Sequence, residues 1–71
     1  MTIPEGLTAA EIEYRISDRI VGRHAARNRD ILRRRLLDGI IYEKLAEEFE
    51  LSVRQIKNIV YKGENRIFKM P

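Results

Sequence analysis

The stretch Tyr42–Tyr61, YEKLAEEFELSVRQIKNIVY, decides the fold. Two short helical patterns meet inside it, near Glu50 and Leu51, with no residues to spare for a loop. The first is acidic, with Glu43, Glu47, Glu48 and Glu50, and it buries Leu45, Ala46 and Phe49. The second is basic and rich in amides, with Arg54, Gln55, Lys57 and Asn58. "SVRQ" opens it as a capping box: the Ser52 hydroxyl can accept the Gln55 amide while the Gln55 side chain reaches back. Helices over Tyr42–Phe49 and from Ser52 onward, joined this tightly, must cross steeply, as in a helix-turn-helix. Ala46 provides the small residue for that crossing. Leu45, Phe49, Leu51, Ile56 and Ile59 provide the apolar set around it.

The same periodicity extends outward. Val53, Ile56, Ile59, Val60 and Ile67 recur at helical spacing, which predicts one helix from Ser52 to about Phe68. Gly63 falls on its apolar face, where it either stops the helix or admits a close neighbour. Upstream, "TAAE" is another capping box, with Thr8 at the cap and Leu7 and Ile12 placed as a hydrophobic staple. Ile12, Ile16 and Ile20 make an apolar stripe that predicts an N-terminal helix over residues 8–22, ended or loosened by Gly22. Glu11 and Arg15 stand at the favourable i,i+4 spacing, as do Asp30 and Arg34. A further helix is expected from Ala25 or Asn28 to Asp38, burying Ile31, Leu32, Leu36 and Leu37, with Gly39 as a left-handed C-cap. No strand alternation, internal repeat or linker is evident. The expectation is an all-α, small four-helix domain containing a helix-turn-helix. It forms a single domain over residues 1–71, with residues 25–69 as the helix-turn-helix core.

Composition bounds the function. A chain of 71 residues buries only about 60% of the surface its unfolded form exposes, so its core is marginal. It has no cysteine and therefore no disulfide or thiolate site. There is one histidine, His24, with no carboxylate pair at metal or triad spacing around it, so an enzyme is not expected and no cofactor is implied. No apolar run reaches the roughly 20 residues of a membrane helix. The first residues, MTIPEGLTAAEIEY, are acidic and interrupted by polar residues, unlike a signal peptide. The expectation is a cytoplasmic protein with no membrane partner.

Charge is blocked along the chain. Residues 1–18 are acidic. Residues 19–35 hold seven arginines against a single Asp30. Residues 38–50 are acidic again, and residues 52–71 are basic. Blocks of alternating sign suit segments that attract one another while positive charge is left over for a polyanion. The run Arg33-Arg34-Arg35 has two candidate roles: pairing with the acidic third helix or clamping a DNA backbone.

DGIIYEKLAEEFELSVRQIKNIVYKGENRIFK resembles the fourth region of sigma-70 family transcription factors and their small stand-alone relatives. Gly39, Tyr42, Glu43, Leu45, Ala46, Ser52, Val53, Ile56 and Lys57 match that pattern, and the likeness spans roughly Asp30 to Lys69. The LuxR-type helix-turn-helix domain is similar and stands second. Two positions depart: Ile41 stands where the family caps its third helix with Ser or Thr, and Glu50 stands where the turn has Gly. The chain has no room for the region of full sigma factors that binds the promoter −10 element, so the likeness is not to a complete sigma factor.

The resemblance implies double-stranded DNA as partner, and the residue chemistry agrees. An α-helix fits the major groove, where Arg can bond guanine and Gln or Asn can bond adenine through two atoms each. The candidate DNA-binding residues are Ser52, Arg54, Gln55, Lys57, Asn58, Tyr61 and Lys62. Lys57 and Lys62 suit phosphates, and the Ser52 end of the helix offers backbone amides to one. The expected function is sequence-specific DNA binding in transcription regulation. The alternative is a module that docks on RNA polymerase or a sigma factor. Copy number stays open: many helix-turn-helix proteins bind as homodimers, whereas region-four domains act singly.

Overall fold

The computed structural model describes residues 6–68. It contains α1 (Ala9–Arg19), α2 (Ala25–Leu36), α3 (Tyr42–Phe49) and α4 (Val53–Phe68). This is the expected all-α, four-helix architecture. Residues 1–5 and Lys69, both inside the expected 1–71 domain, lie outside the described residues, as do Met70 and Pro71.

The core divides into two clusters that share α2 and α4. Ile12, Ile16 and Ile20 from the α1 segment pack with Leu32 and Ile67. Ile31, Leu45, Ile56 and Val60 form the other cluster, edged by Ala46, Phe49, Leu51 and Ile59. The adjacent residues Ile31 and Leu32 therefore face different clusters. Along α4 the division follows the chain: its first half meets α3, and Ile67 near its end meets α1. Each buried Ile, Leu or Val contributes about 1.5–3 kcal/mol relative to exposure. Gly63 lies on the same buried side of α4, directly against Leu32. The helix runs through it, and the glycine serves close approach.

Helix ends follow the capping signals, with two corrections. The Thr8 hydroxyl accepts the Glu11 amide at 3.1 Å, and Leu7 packs against the Ile12 cluster. α1 stops at Arg19 and does not reach residue 22. Ile20 takes an extended conformation (φ −91°, ψ 99°), and its carbonyl accepts Arg29 Nε at 2.8 Å, which turns the chain early. Gly22, at φ +111°, belongs to the connection. α2 ends at Leu36, short of Asp38, and the chain reverses through Gly39 at φ +69°. His24 is the exposed cap residue of α2 and makes no side-chain capping bond.

Two expected helix-surface pairs are replaced. Asp30 pairs with Arg33 at 3.1 Å in place of Arg34, because Arg34 turns to Glu48 at 2.6 Å and Asp38 at 3.7 Å. Arg15 reaches away from Glu11 and donates to the Ile67 carbonyl at 2.9 Å. Arg19 donates to the carbonyls of Arg66 and Ile67, each at 3.1 Å. Two cations of α1 thus satisfy the last carbonyls of α4, where the negative end of the helix dipole favours them.

Candidate nucleic-acid interface

α3 and α4 are joined by Glu50, Leu51 and Ser52 alone. Glu50 makes the reversal in the left-handed region, at φ 55° and ψ 44°. Its amide and that of Leu51 turn back to α3, and Leu51 N–H reaches the Ala46 carbonyl at 2.9 Å. This is a Schellman-type ending, which ordinarily uses Gly. At the other end of α3, Ile41 is the cap residue. It has no side-chain capping bond and is 56% exposed. Both departures from the sigma-like pattern therefore have a local cost.

α4 starts as its capping box predicts. The Ser52 hydroxyl accepts the Gln55 amide at 3.1 Å, and Gln55 Oε1 accepts the Ser52 amide at 2.9 Å. The Val53 and Arg54 amides have no hydrogen-bond partner among the described residues, so this helix end still offers two donors to an anion. Gln55 Oε1 is engaged in the cap, so the NH₂ group is the part of that side chain wholly open to other contacts.

All seven sequence-predicted residues, Ser52, Arg54, Gln55, Lys57, Asn58, Tyr61 and Lys62, are exposed. Arg54, Asn58 and Tyr61 follow one another at spacings of four and three, which puts them on one stripe opposite Ile56, Val60 and Ile67. Asn65 continues that stripe, is exposed, and escaped the sequence reading. Ser52 and Gln55 sit at the helix start, and Lys62 stands toward the α2 side. Lys57 flanks the opposite side, with its Nζ 5.8 Å from the centre of the Tyr42 ring. The Arg35 guanidinium lies 4.3 Å from the same ring centre. Tyr42 thereby gathers two cations at the α2–α3–α4 junction, within range of cation–π attraction. That pairing also escaped the sequence reading, because Arg35 and Lys57 lie on separate helices.

The neighbouring charges have settled partners. Arg33 bonds Glu13 and Asp30, Arg34 bonds Glu48 and Asp38, and Arg35 donates to the Ile40 carbonyl at 3.1 Å. The triple-arginine run thus joins α2 to three different parts of the molecule, α3 among them. Glu48 also holds the Arg34 guanidinium above its already high pKa, chiefly through their hydrogen bond. No ion pair among the described residues involves Arg54, Lys57 or Lys62. Nor do these residues include a cluster of potential metal ligands or a helix long and apolar enough to cross a membrane.

No family model, curated protein or solved structure matches the chain. Its function is therefore to be read from the chemistry of this face.

Proposed function

We propose that the protein is a small cytoplasmic transcription regulator that binds double-stranded DNA by placing α4 in the major groove. The observation that carries this reading is the outer stripe of α4. A guanidinium, a carboxamide and a phenol stand exposed in line, flanked by two lysines outside any ion pair of the described residues. Arg54 suits a guanine edge, and Asn58 suits an adenine edge. The Tyr61 ring offers apolar contact to a thymine methyl group. Lys57, Lys62 and the amides at the start of α4 suit phosphates, which position the protein without reading sequence. Gln55, with one oxygen in the cap, is better placed as a single-bond contact than as a two-atom adenine reader. The resemblance of the stretch from about Asp30 to Lys69 to the fourth region of sigma-70 factors supports the same reading.

The deciding experiment is selection of bound duplexes from a random DNA pool, with a sizing measurement on the complex. One enriched asymmetric motif supports a single copy on DNA, and a palindrome supports a homodimer. Failure to enrich any motif rules out sequence-specific binding.

A second reading has its own observation. Glu43 and Glu47 on α3 are exposed and belong to none of the ion pairs among the described residues. That face could dock on RNA polymerase or a sigma factor. A pull-down lost on Glu43→Ala and Glu47→Ala, with the α4 residues intact, would favour it.

A further inference from the structure

An open groove of about 290 Å³ lies between the α1–α2 connection, the start of α2 and one side of α4. Arg27, Lys62 and Arg66 supply its cations, Val21, Leu32 and Ile59 are among its apolar residues, and no carboxylate lines it. Val21 is 59% exposed there. With three cations and no carboxylate in its lining, the groove suits an anionic occupant.

The chain itself carries such a surface. Glu43 and Glu47 are one turn apart on α3, so they stand on the same side of the helix. Both are exposed and outside the ion pairs of the described residues. No residue of α3 lines the groove, so within one molecule the two surfaces do not meet.

We propose that the acidic face of α3 docks into this groove on a second copy of the chain, head to tail. Glu43 and Glu47 meet Arg27, Lys62 and Arg66. The two partners use different surfaces, so each contact leaves one face of each kind open. Assembly then propagates as a row or a ring of molecules, unless the two faces are so placed that each α3 fills the other's groove in a closed pair. All of the contact's charged residues but the half-buried Arg27 are exposed. It is therefore weak and salt-sensitive. Nothing in it depends on DNA binding by α4. Asn58 and Lys62 border both surfaces, which makes Arg66 the residue to change on the groove side.

Sedimentation velocity on the full chain, across protein and salt concentrations, tests the proposal. The mean mass should rise with protein concentration at low salt and fall back to the monomer at high salt. Glu47→Lys and Arg66→Glu should each remain monomeric while keeping the parent's helical circular dichroism. Mixed in equal amounts, the two should associate again, because the unaltered Glu47 face of one variant meets the unaltered Arg66 groove of the other, and each reversed charge also meets its opposite. Glu47→Gln, a milder change at an exposed helical site, should weaken association several-fold and serves if a reversed-charge variant misfolds. A parent that stays monomeric at every concentration and salt overturns the proposal. So does a folded single variant that associates like the parent, or a mixture that stays monomeric.

Discussion

Gly63 presses its backbone against Leu32: a methyl group built on the glycine would stand 2.5 Å from Leu32 Cδ1 and 3.0 Å from Cγ. Leu32 is fully buried beneath it, in the cluster that joins α1, α2 and α4. The absent side chain therefore sets how closely α4 can approach α2.

Gly63→Ala consequently brings two opposed effects. Alanine favours the helix by about 1 kcal/mol, whereas overpacking a filled core costs about 1–3 kcal/mol. The clash should win, because it reaches Leu32 Cγ at 3.0 Å as well as both methyl groups, so the whole side chain must shift. The expected net loss is about 1 kcal/mol, or a melting temperature lower by about 4–8 °C for a domain of this size. Adding Leu32→Val should cost less in the Gly63→Ala background than in the parent. A chemical-denaturation cycle measures this, and strictly additive losses would show that the two residues do not share the space.

Each end of α3 can be improved. Glu50 sits in the left-handed region at φ 55°, which costs an L-residue about 1–2 kcal/mol. Glycine removes that strain but gives back about 0.4–1 kcal/mol as unfolded-state entropy. Glu50→Gly should thus stabilise by about 0.5–1 kcal/mol. Ile41 holds the extended cap conformation (φ −71°, ψ 155°) without a side-chain acceptor, so Ile41→Ser should add about 1 kcal/mol. The two sites share no contact, and the gains should add. A lower melting temperature for either variant would contradict the account of that helix end.

Glu64 gives the domain a pH dependence of unusual sign. Only 6% of it is exposed, and its Oε2 atom has no hydrogen-bond partner. Burial raises its carboxyl pKa above the ordinary glutamate range, against the opposing pull of the Arg35 charge. A raised folded-state pKa means that the protonated form is the better fit. Stability from this group is fully present below the ordinary pKa and is lost as pH rises through the raised one. Glu64→Gln should therefore be more stable than the parent at neutral pH, with the difference shrinking on acidification through the carboxylate range. Thermal melts of both proteins across that range supply the check, and a difference that widens on acidification would reverse the assignment.

What the sequence disclosed here was local. The bounds of α3 and α4 were readable because Ser52 and Gln55 cap each other three residues apart and the apolar period runs unbroken from Val53 to Ile67. The exposure of Arg54, Asn58 and Tyr61 followed from that same period. The contacts of Arg15 and Arg19 with the end of α4 were not readable. Ile67 lies 52 residues beyond Arg15, and no spacing rule links them. The same holds for Arg34, whose neighbour Asp30 was the expected partner until folding brought Glu48 within 2.6 Å. The early end of α1 was hidden likewise, since it depends on Arg29 reaching back to the Ile20 carbonyl.

The functional reading is tested by separating residues that would read bases from those that would hold phosphates. Arg54 and Asn58 share the exposed stripe of α4, while Lys57 flanks it beside Tyr42. Arg54→Ala or Asn58→Ala should cost about 1–3 kcal/mol on the preferred duplex and relax the preference at one base position. Lys57→Gln should weaken binding to every duplex alike and lower the salt dependence by about one counterion. Gln55→Ala should do less to base preference than Asn58→Ala and more to stability, because it opens the cap that holds Ser52. Glu47→Ala should leave DNA affinity unchanged or slightly higher, since it removes an exposed negative charge from the adjoining helix. Fluorescence anisotropy on preferred and scrambled duplexes at several salt concentrations distinguishes these outcomes. If the α4 variants bind both duplexes as tightly as the parent, DNA reading by α4 fails. If Glu43→Ala and Glu47→Ala then abolish capture by RNA polymerase or a sigma factor, the docking reading takes its place.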